Sequence, residues 1–297
     1  MKKYLSIFLA FTLCVLSSKA EEGEIPVKSQ EMDSLKLLSW NIYMLPPLIK
    51  FTGKRKRASA IGDTLANADY DVLVLQEAFH HGARRRIAKR LNDVYPYQIG
   101  PVFRNPLSLK TSSGIWILSK YPMTSVANVK YKQKWGFDNK MARKGAAMVR
   151  VVKNGQPFEI IGTHLNSGGP LDVRASQVRQ IREELIDPHH EQGIPLIIAG
   201  DFNIERTDES GLDSMMCILD VCDYTLHGRF QYTFDETMND LCVNSGKGYI
   251  DYVYLRNGNL KQIRMFRRIP LLEFPWSSRN RSLADHNPIE LLLHYRR

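Results

Sequence analysis

Three residues far apart in the chain, Asn41, Glu77 and Asp285, carry hard oxygen atoms. Magnesium takes oxygen ligands in near-octahedral geometry and keeps several waters. Two carboxylates and an amide, completed by water and a substrate phosphate, would suit it, with manganese or cobalt as substitutes. No Cys/His cluster of zinc-binding spacing occurs. Taken singly, each residue has a plain structural explanation: Asn41 could cap a turn, and Glu77 could pair with an arginine on the segment that follows.

Proton-transfer groups stand nearby in sequence. Asp285-His286 precedes Asn287-Pro288 and a terminal apolar run. A histidine there could accept a proton from water, provided a carboxylate fixes its tautomer. Asp251, within Tyr249-Ile250-Asp251-Tyr252, is the candidate. Gly200-Asp201-Phe202-Asn203 places a carboxylate and an amide two residues apart after a glycine that permits a tight turn. Gly162-Thr163-His164-Leu165-Asn166 is similar, and leaves His164 able to bind an anionic oxygen. An Asx-turn or a structural His–Asp contact would explain each pattern equally well in isolation.

The elements that must position these groups are short apolar runs alternating with amphipathic segments. Strands are predicted over Leu35 to Trp40, Asp71 to Gln76, Ile115 to Leu118, Ala146 to Val152, Phe158 to Gly162, Pro195 to Ala199, Ile250 to Leu255 and Ile289 to Leu293. Helices are predicted over Arg57 to Ala68, with Ala58, Ile61, Leu65 and Ala68 on one face, over Ala83 to Val94, and over Arg174 to Ile186, where Pro188 should stop the helix. Several strands end in a polar residue able to do chemistry. Ligand sites gather at such ends because strands hold side chains rigidly. Many strands interleaved with a few helices predict an α/β fold of two sheets with helices outside. No repeat or linker divides residues 35–297, which read as a single domain.

Met1-Lys2-Lys3, an apolar stretch from Tyr4 to about Leu16, and Ser18-Lys19-Ala20 have the form of a signal peptide cleaved after Ala20. The apolar stretch is shorter than the ~20 residues a spanning helix needs. Cys14 lies inside it, away from the cleavage point, which argues against a lipid anchor. Residues 21–34 read as a flexible lead-in. The expected product is soluble and either secreted or periplasmic. The leader's three lysines leave +7 of the formal +10 charge on the mature chain, which favours anionic partners such as nucleic acid or acidic lipid. Cys217, Cys222 and Cys242 remain; two could pair, and the sequence does not say which. Asn280-Arg281-Ser282 has the pattern of a glycosylation acceptor.

The ordered set Asn41, Glu77, His164, Asp201-x-Asn203, Asp251, Asp285-His286 resembles the exonuclease–endonuclease–phosphatase superfamily, which includes pancreatic deoxyribonuclease. The segments Leu38-Ser39-Trp40-Asn41-Ile42, Val74-Leu75-Gln76-Glu77, Gly162-Thr163-His164-Leu165, Gly200-Asp201-Phe202-Asn203, Ile250-Asp251-Tyr252 and Ala284-Asp285-His286-Asn287-Pro288 carry it. Further segments resemble the bacterial neutral sphingomyelinases: Asn41-Ile42-Tyr43-Met44-Leu45-Pro46, the run from Gly114 to Pro122, Asp138-Asn139, Lys144-Gly145 and Tyr232-Thr233-Phe234-Asp235. The chain departs from that branch at Asn166-Ser167-Gly168-Gly169, where glutamine and acidic residues are usual, at Ala284, where serine is common, and in a shorter segment before the Asp-His pair.

The resemblance implies a deoxyribonuclease-like four-layer sandwich: two packed mixed β-sheets flanked by helices. It implies that Glu77 binds a divalent metal, magnesium first, with Asn41 and Asp285 nearby. His286, oriented by Asp251, would deprotonate the attacking water. His164 and Asn203 would bind phosphate oxygens, and Asp201 would position water or help the leaving group. The implied reaction is hydrolysis of sphingomyelin to ceramide and phosphocholine by a monomer at a phospholipid surface. Within the same superfamily the alternative is an endonuclease, for which Lys54-Arg55-Lys56-Arg57 and Arg84-Arg85-Arg86 could track a phosphate backbone. A different class, a catalytically silent membrane-binding protein, would have lost Glu77 or His286, and neither is lost. At a bilayer, apolar side chains must reach the interface, where tryptophan is favoured. Trp135 and Phe137 in one loop, and Phe274 and Trp276 just before Asp285-His286, are the expected contacts.

Overall fold

A computed structural model describes residues 32–297 apart from 47, 48, 50, 51, 106, 109 and 244. The predicted leader and most of the lead-in lie outside the described residues, as does Cys14.

Strand β1 (Asp33–Met44) explains the architecture by its alternation. Leu35 and Leu37 enter one apolar core, whereas Leu38, Trp40 and Ile42 enter another. A strand buried on both faces must lie between two layers. After β1, helix α1 (Lys54–Ala66) returns the chain, and β2 (Val72–Ala78) pairs parallel to β1. Val72 and Val74 join the first core, Leu73 and Leu75 the second. Helix α2 (His81–Leu91) buries Ala83, Ile87 and Leu91, spaced at i+4. Strands β3 (Tyr97–Ile99) and β4 (Trp116–Ser119) complete this half.

The second half contains β5 (Met123–Lys130), α3 (Phe137–Met141), β6 (Gly145–Lys153), β7 (Gln156–His164), α4 (Leu171–Ile181) and α5 (Asp187–His189). It continues with β8 (Leu196–Asp201), α6 (Glu209–Leu219), β9 (Leu226–His227), β10 (Phe234–Asp235), β11 (Lys247–Gly248), β12 (Asp251–Arg256), β13 (Lys261–Arg268) and β14 (Ile289–Arg296). One sheet has seven strands in the order β3-β4-β2-β1-β14-β13-β9, and the other has five in the order β12-β8-β7-β6-β5. Both mix parallel and antiparallel neighbours, and β10 and β11 form a small separate ribbon.

The first core fills the space between the sheets. Gly162 on β7 marks their close approach: a Cβ there would lie 2.8 Å from Val74 Cγ1 and 3.1 Å from Ile115 Cγ2. Helices α1 and α2 cover the outer face of the larger sheet through the second core. Val178, Ile181, Leu212, Met215 and Leu219, from α4 and α6, extend the first core on the opposite side. The result is the expected helix–sheet–sheet–helix sandwich. Each fully buried Leu, Ile or Val contributes about 1.5–3 kcal/mol through removal of apolar area from water.

Pro188 does not stop its helix as expected. Helix α4 passes into a π-helical turn, Arg182–Ile186, and then into α5 with Pro188 in its first turn. A proline costs little there, because its missing N–H is one the new turn does not use. Cys217, Cys222 and Cys242 are all free thiols. Asn280 turns its side-chain amide to Asp240 Oδ1 at 3.3 Å. No described helix is long and apolar enough to cross a membrane.

Candidate active site

Strand register assembles the site. Strands β1 and β2 run parallel and end together, with Asn41 opposite Gln76 and Glu77 next along β2. Strands β7 and β8 do the same, with His164 opposite Asp201. Antiparallel β12 begins where β8 ends, so Asp251 also faces Asp201. The segment carrying Asp285 and His286 leads into β14, whose Ile289 pairs with Ser39 two residues before Asn41. Residues separated by up to 245 positions therefore share one edge of the sandwich.

Asp201 is the hub. Its Oδ2 accepts from Asn41 Nδ2 at 3.1 Å and lies 3.4 Å from His164 Nε2 and 3.9 Å from His286 Nε2. Its Oδ1 accepts from the Asn203 backbone N–H at 3.0 Å. Gly200 allows β8 to lie against β7 here; a Cβ would stand 2.0 Å from Thr163 O, and the residue's φ is +157°. His286 Nδ1 is 2.8 Å from Asp251 Oδ2, and Trp40 Nε1 donates to the His286 carbonyl at 2.8 Å. Asn203 Nδ2 donates to Leu165 O at 3.3 Å, and Asn41 Oδ1 accepts from the Tyr43 N–H at 3.1 Å.

Electrostatics differentiate these groups. Burial alone would lower the His286 imidazole, but Asp251, Asp201 and Asp285 raise it well above its ordinary value. Burial followed by the Lys144 ammonium pushes His164 down to about 3, so it stays neutral at physiological pH. Burial raises Asp251 to about 6. It also opposes ionisation of Asp201, but His164, His286 and Lys144 outweigh it and hold Asp201 below the usual range. Burial, then the neighbouring Asp285 charge, raises Glu77 to about 7, and burial raises Asp285 as well.

Glu77 and Asp285 have the character of a cation site. Glu77 Oε2 and Asp285 Oδ1 are enclosed and have no hydrogen-bond donor. Two such oxygens cost energy unless something positive meets them. Asp201, Asp251 and His286 also bring potential ligand atoms within 4.8 Å of one another. That trio is already joined through the His286–Asp251 contact, which suits proton transfer, whereas the donor-poor oxygens of Glu77 and Asp285 suit a hard cation. The backbone is strained at the same place: Tyr43, Glu77 and Asn203 have φ of 51°, 53° and 51°. Left-handed non-glycine residues cost about 1–3 kcal/mol each and concentrate at functional sites.

Three supporting residues were not assigned roles from sequence. Lys144, only 4% exposed, places Nζ 2.9 Å from His164 Nε2 and donates to Leu165 O at 2.7 Å. Thr233 Oγ1 accepts from the Ile250 and Asp251 N–H groups, at 3.1 and 3.3 Å. The Phe234 ring meets the His286 imidazole edge-on, with centroids 5.2 Å apart. The only signals were the pairs Lys144-Gly145 and Thr233-Phe234 within the resemblance. The Asn166-Ser167-Gly168-Gly169 departure has a structural use: Asn166 Oδ1 accepts from Trp135 N–H, and Asn139 Nδ2 donates to Ser167 O.

The expected membrane contacts divide. Phe137 is 75% exposed, Trp135 51% and Phe274 48%. Trp276 instead packs against the second core and over Gly53, with its Nε1 donating to Ser282 O at 2.8 Å. Its ring is therefore partly buried, whereas those of Phe137, Trp135 and Phe274 stand exposed. The basic clusters divide similarly. Lys54 donates to Pro46 O and Ile49 O, Arg57 to Ile42 O, Tyr43 O and Leu283 O, and Arg84 to Ala78 O and Phe79 O. Those three cations hold backbone carbonyls.

A sandwich of two mixed sheets with an Asp–His pair and enclosed carboxylates at one edge defines a phosphodiester-hydrolase architecture. The chain belongs to the endonuclease/exonuclease/phosphatase family, whose profile matches residues 38–286. It is 26% identical to a sphingomyelinase C of Listeria ivanovii over 95% of this chain and 93% of the relative. The crystal structure of sphingomyelinase C from Streptomyces griseocarneus superposes with a TM-score of 0.76 at 25% identity, covering 89% of this chain and 100% of that one. A Staphylococcus aureus beta toxin variant crystallised with bound magnesium ions gives 0.76 at 23% identity, over 88% and 99% of the two chains. The protein is a phosphodiesterase-type hydrolase resembling bacterial sphingomyelinases.

Proposed function

We propose that this protein is a secreted, divalent-metal-dependent phosphodiesterase that hydrolyses sphingomyelin to ceramide and phosphocholine, acting as a monomer at phospholipid surfaces. The observation that carries this reading is the buried His286–Asp251 pair, with Asp201 beside His286 Nε2, next to the donor-poor oxygens of Glu77 and Asp285. The similarity to sphingomyelinases over nearly the whole chain supports the choice of lipid.

In this reading His286 takes a proton from water through Nε2 while Asp251 holds Nδ1 and fixes the tautomer. Asp201 positions that water. Neutral His164 and the Asn203 amide orient the phosphate oxygens, and Lys144, behind His164, adds positive charge. Water oxygen bonds to phosphorus, the P–O bond to ceramide breaks, the departing oxygen takes a proton from solvent, and His286 releases to solvent the proton it took. Glu77 and Asp285, with Asn41 beside them, would hold a magnesium ion, which would supply positive charge against the negative charge that grows on the phosphate oxygens.

The test is purified protein assayed on sphingomyelin, phosphatidylcholine and DNA, with magnesium or with EDTA. Magnesium-dependent release of phosphocholine from sphingomyelin is expected. Cleavage of DNA with no action on either lipid would transfer the protein to the nucleases of the family.

A further inference from the structure

We propose that the groove between α1 and α2 is a second, non-catalytic site that binds a nucleic-acid phosphate backbone. The groove has a volume of about 970 Å³, and its walls include Arg55, Arg85, Arg86, Lys89 and Arg90, opposed by the single carboxylate of Asp63. That carboxylate is already used by Arg90, at 2.6 Å. Arg55, Arg85, Arg86 and Lys89 have no carboxylate partner among the described residues. The neighbouring cations Lys54, Arg57 and Arg84 are committed to carbonyls, so the groove is where the basic segments offer free charge. Like charges gathered without counter-charge repel, and an anionic occupant relieves that repulsion.

The direction of the charge selects the occupant. Parallel β1 and β2 each deliver a helix that starts at the active-site edge and runs away from it. Arg55 lies in the first turn of α1, while Arg85, Arg86, Lys89 and Arg90 occupy successive turns of α2. At about 1.5 Å per residue, the α2 cations extend over about 8 Å along the helix axis. A bilayer laid across the active-site mouth would meet only the helix starts. A small anion would use one cation or two. A linear polyanion can follow the whole row, and the positive ends of both helix dipoles lie at the near end of its path. His80 is the one aromatic ring among the described lining residues, and its Nδ1 is held by the Ala83 N–H as the cap of α2, so recognition rests mainly on the phosphates. Binding should therefore be independent of sequence. The inference does not rest on the lipid substrate proposed for the active site.

The experiment is fluorescence anisotropy of purified protein with a labelled oligothymidylate of about 15 nucleotides, in EDTA so that no strand is cut. With three or four phosphates neutralised, affinity should fall about 20–50-fold between 50 and 200 mM salt. Arg85→Glu with Lys89→Glu, both exposed positions, should weaken binding by at least tenfold and flatten the salt slope. Arg55→Glu, on the opposite wall, should act in the same direction. Hydrolysis of a soluble phosphocholine ester, with magnesium restored, should stay within about twofold and report that the variants fold. Unchanged oligonucleotide binding in both variants would overturn the proposal. Loss of binding to phosphatidylserine-containing vesicles with oligonucleotide binding intact would overturn it too, and assign the groove to the membrane.

Discussion

His286 Nδ1 lies 2.8 Å from Asp251 Oδ2 in a pocket where Asp251 is 1% exposed. Thr233 fixes the backbone of Asp251, and Phe234 closes over the imidazole, so the pair has little freedom to separate. This arrangement leaves Nε2 as the nitrogen able to exchange a proton with the site. His286→Ala should lower kcat by about 10²–10⁴-fold, the usual contribution of a positioned base. Asp251→Asn should act in the same direction by favouring the wrong tautomer. Turnover of a soluble phosphocholine ester is the measurement, with thermal melting as the control for folding. A His286→Ala enzyme with near-parental kcat would assign the base elsewhere.

The enclosed, donor-poor oxygens of Glu77 and Asp285 make the second expectation. EDTA should abolish hydrolysis, and magnesium should restore it, with manganese or cobalt as partial substitutes. Glu77→Gln removes one ligand charge and should raise the magnesium concentration giving half-maximal rate by tenfold or more. It should also raise the melting temperature in EDTA, because a buried repulsion with Asp285 is lost. Full activity in chelator would reject a metal role for the pair.

The sites readable from sequence were those at the ends of strands buried on both faces. In β1, β2, β7 and β8 nearly every residue is buried, so the first polar residue after the apolar run stands out. Lys144 was not readable in this way, because Lys140 and Arg143 nearby give the segment the look of a solvated basic loop. Its burial depends on His164, twenty residues away, and on the Leu165 carbonyl. Thr233 and Phe234 sit at a two-residue strand, too short for any periodicity. Strands β5 and β13 escaped prediction for want of an apolar run: β5 reads Met-Thr-Ser-Val-Ala-Asn-Val-Lys, and β13 reads Lys-Gln-Ile-Arg-Met-Phe-Arg-Arg, in which only Arg267 is buried. Arg57 shows the reverse error: a residue grouped with phosphate-tracking cations is 0% exposed and donates to the carbonyls of Ile42, Tyr43, Thr52 and Leu283.

His164 gives a pH dependence of stability with a defined sign. Burial and then Lys144 lower its folded value from 6.5 to about 3. As pH falls, the unfolded chain takes up this proton first. The stabilisation is complete above about pH 6.5 and is lost progressively between about 6.5 and 3, at up to ~1.4 kcal/mol per pH unit. Asp201, also depressed, loses its contribution only near and below its ordinary value of 3.8. Asp251, Glu77 and Asp285, whose buried carboxyls are raised, also titrate in this range, so it is the difference between the parent and a His164 variant that isolates the histidine. Urea denaturation in EDTA should show His164→Gln losing less stability than the parent across that interval. Parallel curves for the two proteins would mean that His164 takes up its proton in the folded state.

The last prediction concerns the membrane rim and follows from the division between exposed and wedged aromatics. Phe137 begins the short helix α3, and its loop is pinned beside the active site by Asn139 and Asn166. Phe274 stands on the segment that leads to Asp285, and its backbone N–H donates to Arg281 O at 2.9 Å. Both rings are exposed on anchored backbone, so they can enter a bilayer without unfolding anything. Trp276 differs because its N–H is satisfied internally and its ring lies over Gly53 at the start of α1. Phe137→Ala with Phe274→Ala should lower hydrolysis of sphingomyelin liposomes tenfold or more and change turnover of a soluble phosphocholine ester by less than twofold. Trp276→Ala should instead lower stability, by about 1–3 kcal/mol for a partly buried aromatic, and reduce activity on both substrates together. If the double phenylalanine variant hydrolyses liposomes like the parent, the rim does not insert, and adhesion to the bilayer must come from charge alone. If Trp276→Ala is lost selectively on liposomes with its melting temperature unchanged, the indole leaves its seat over Gly53 when the protein meets lipid, and the wedge is itself the contact.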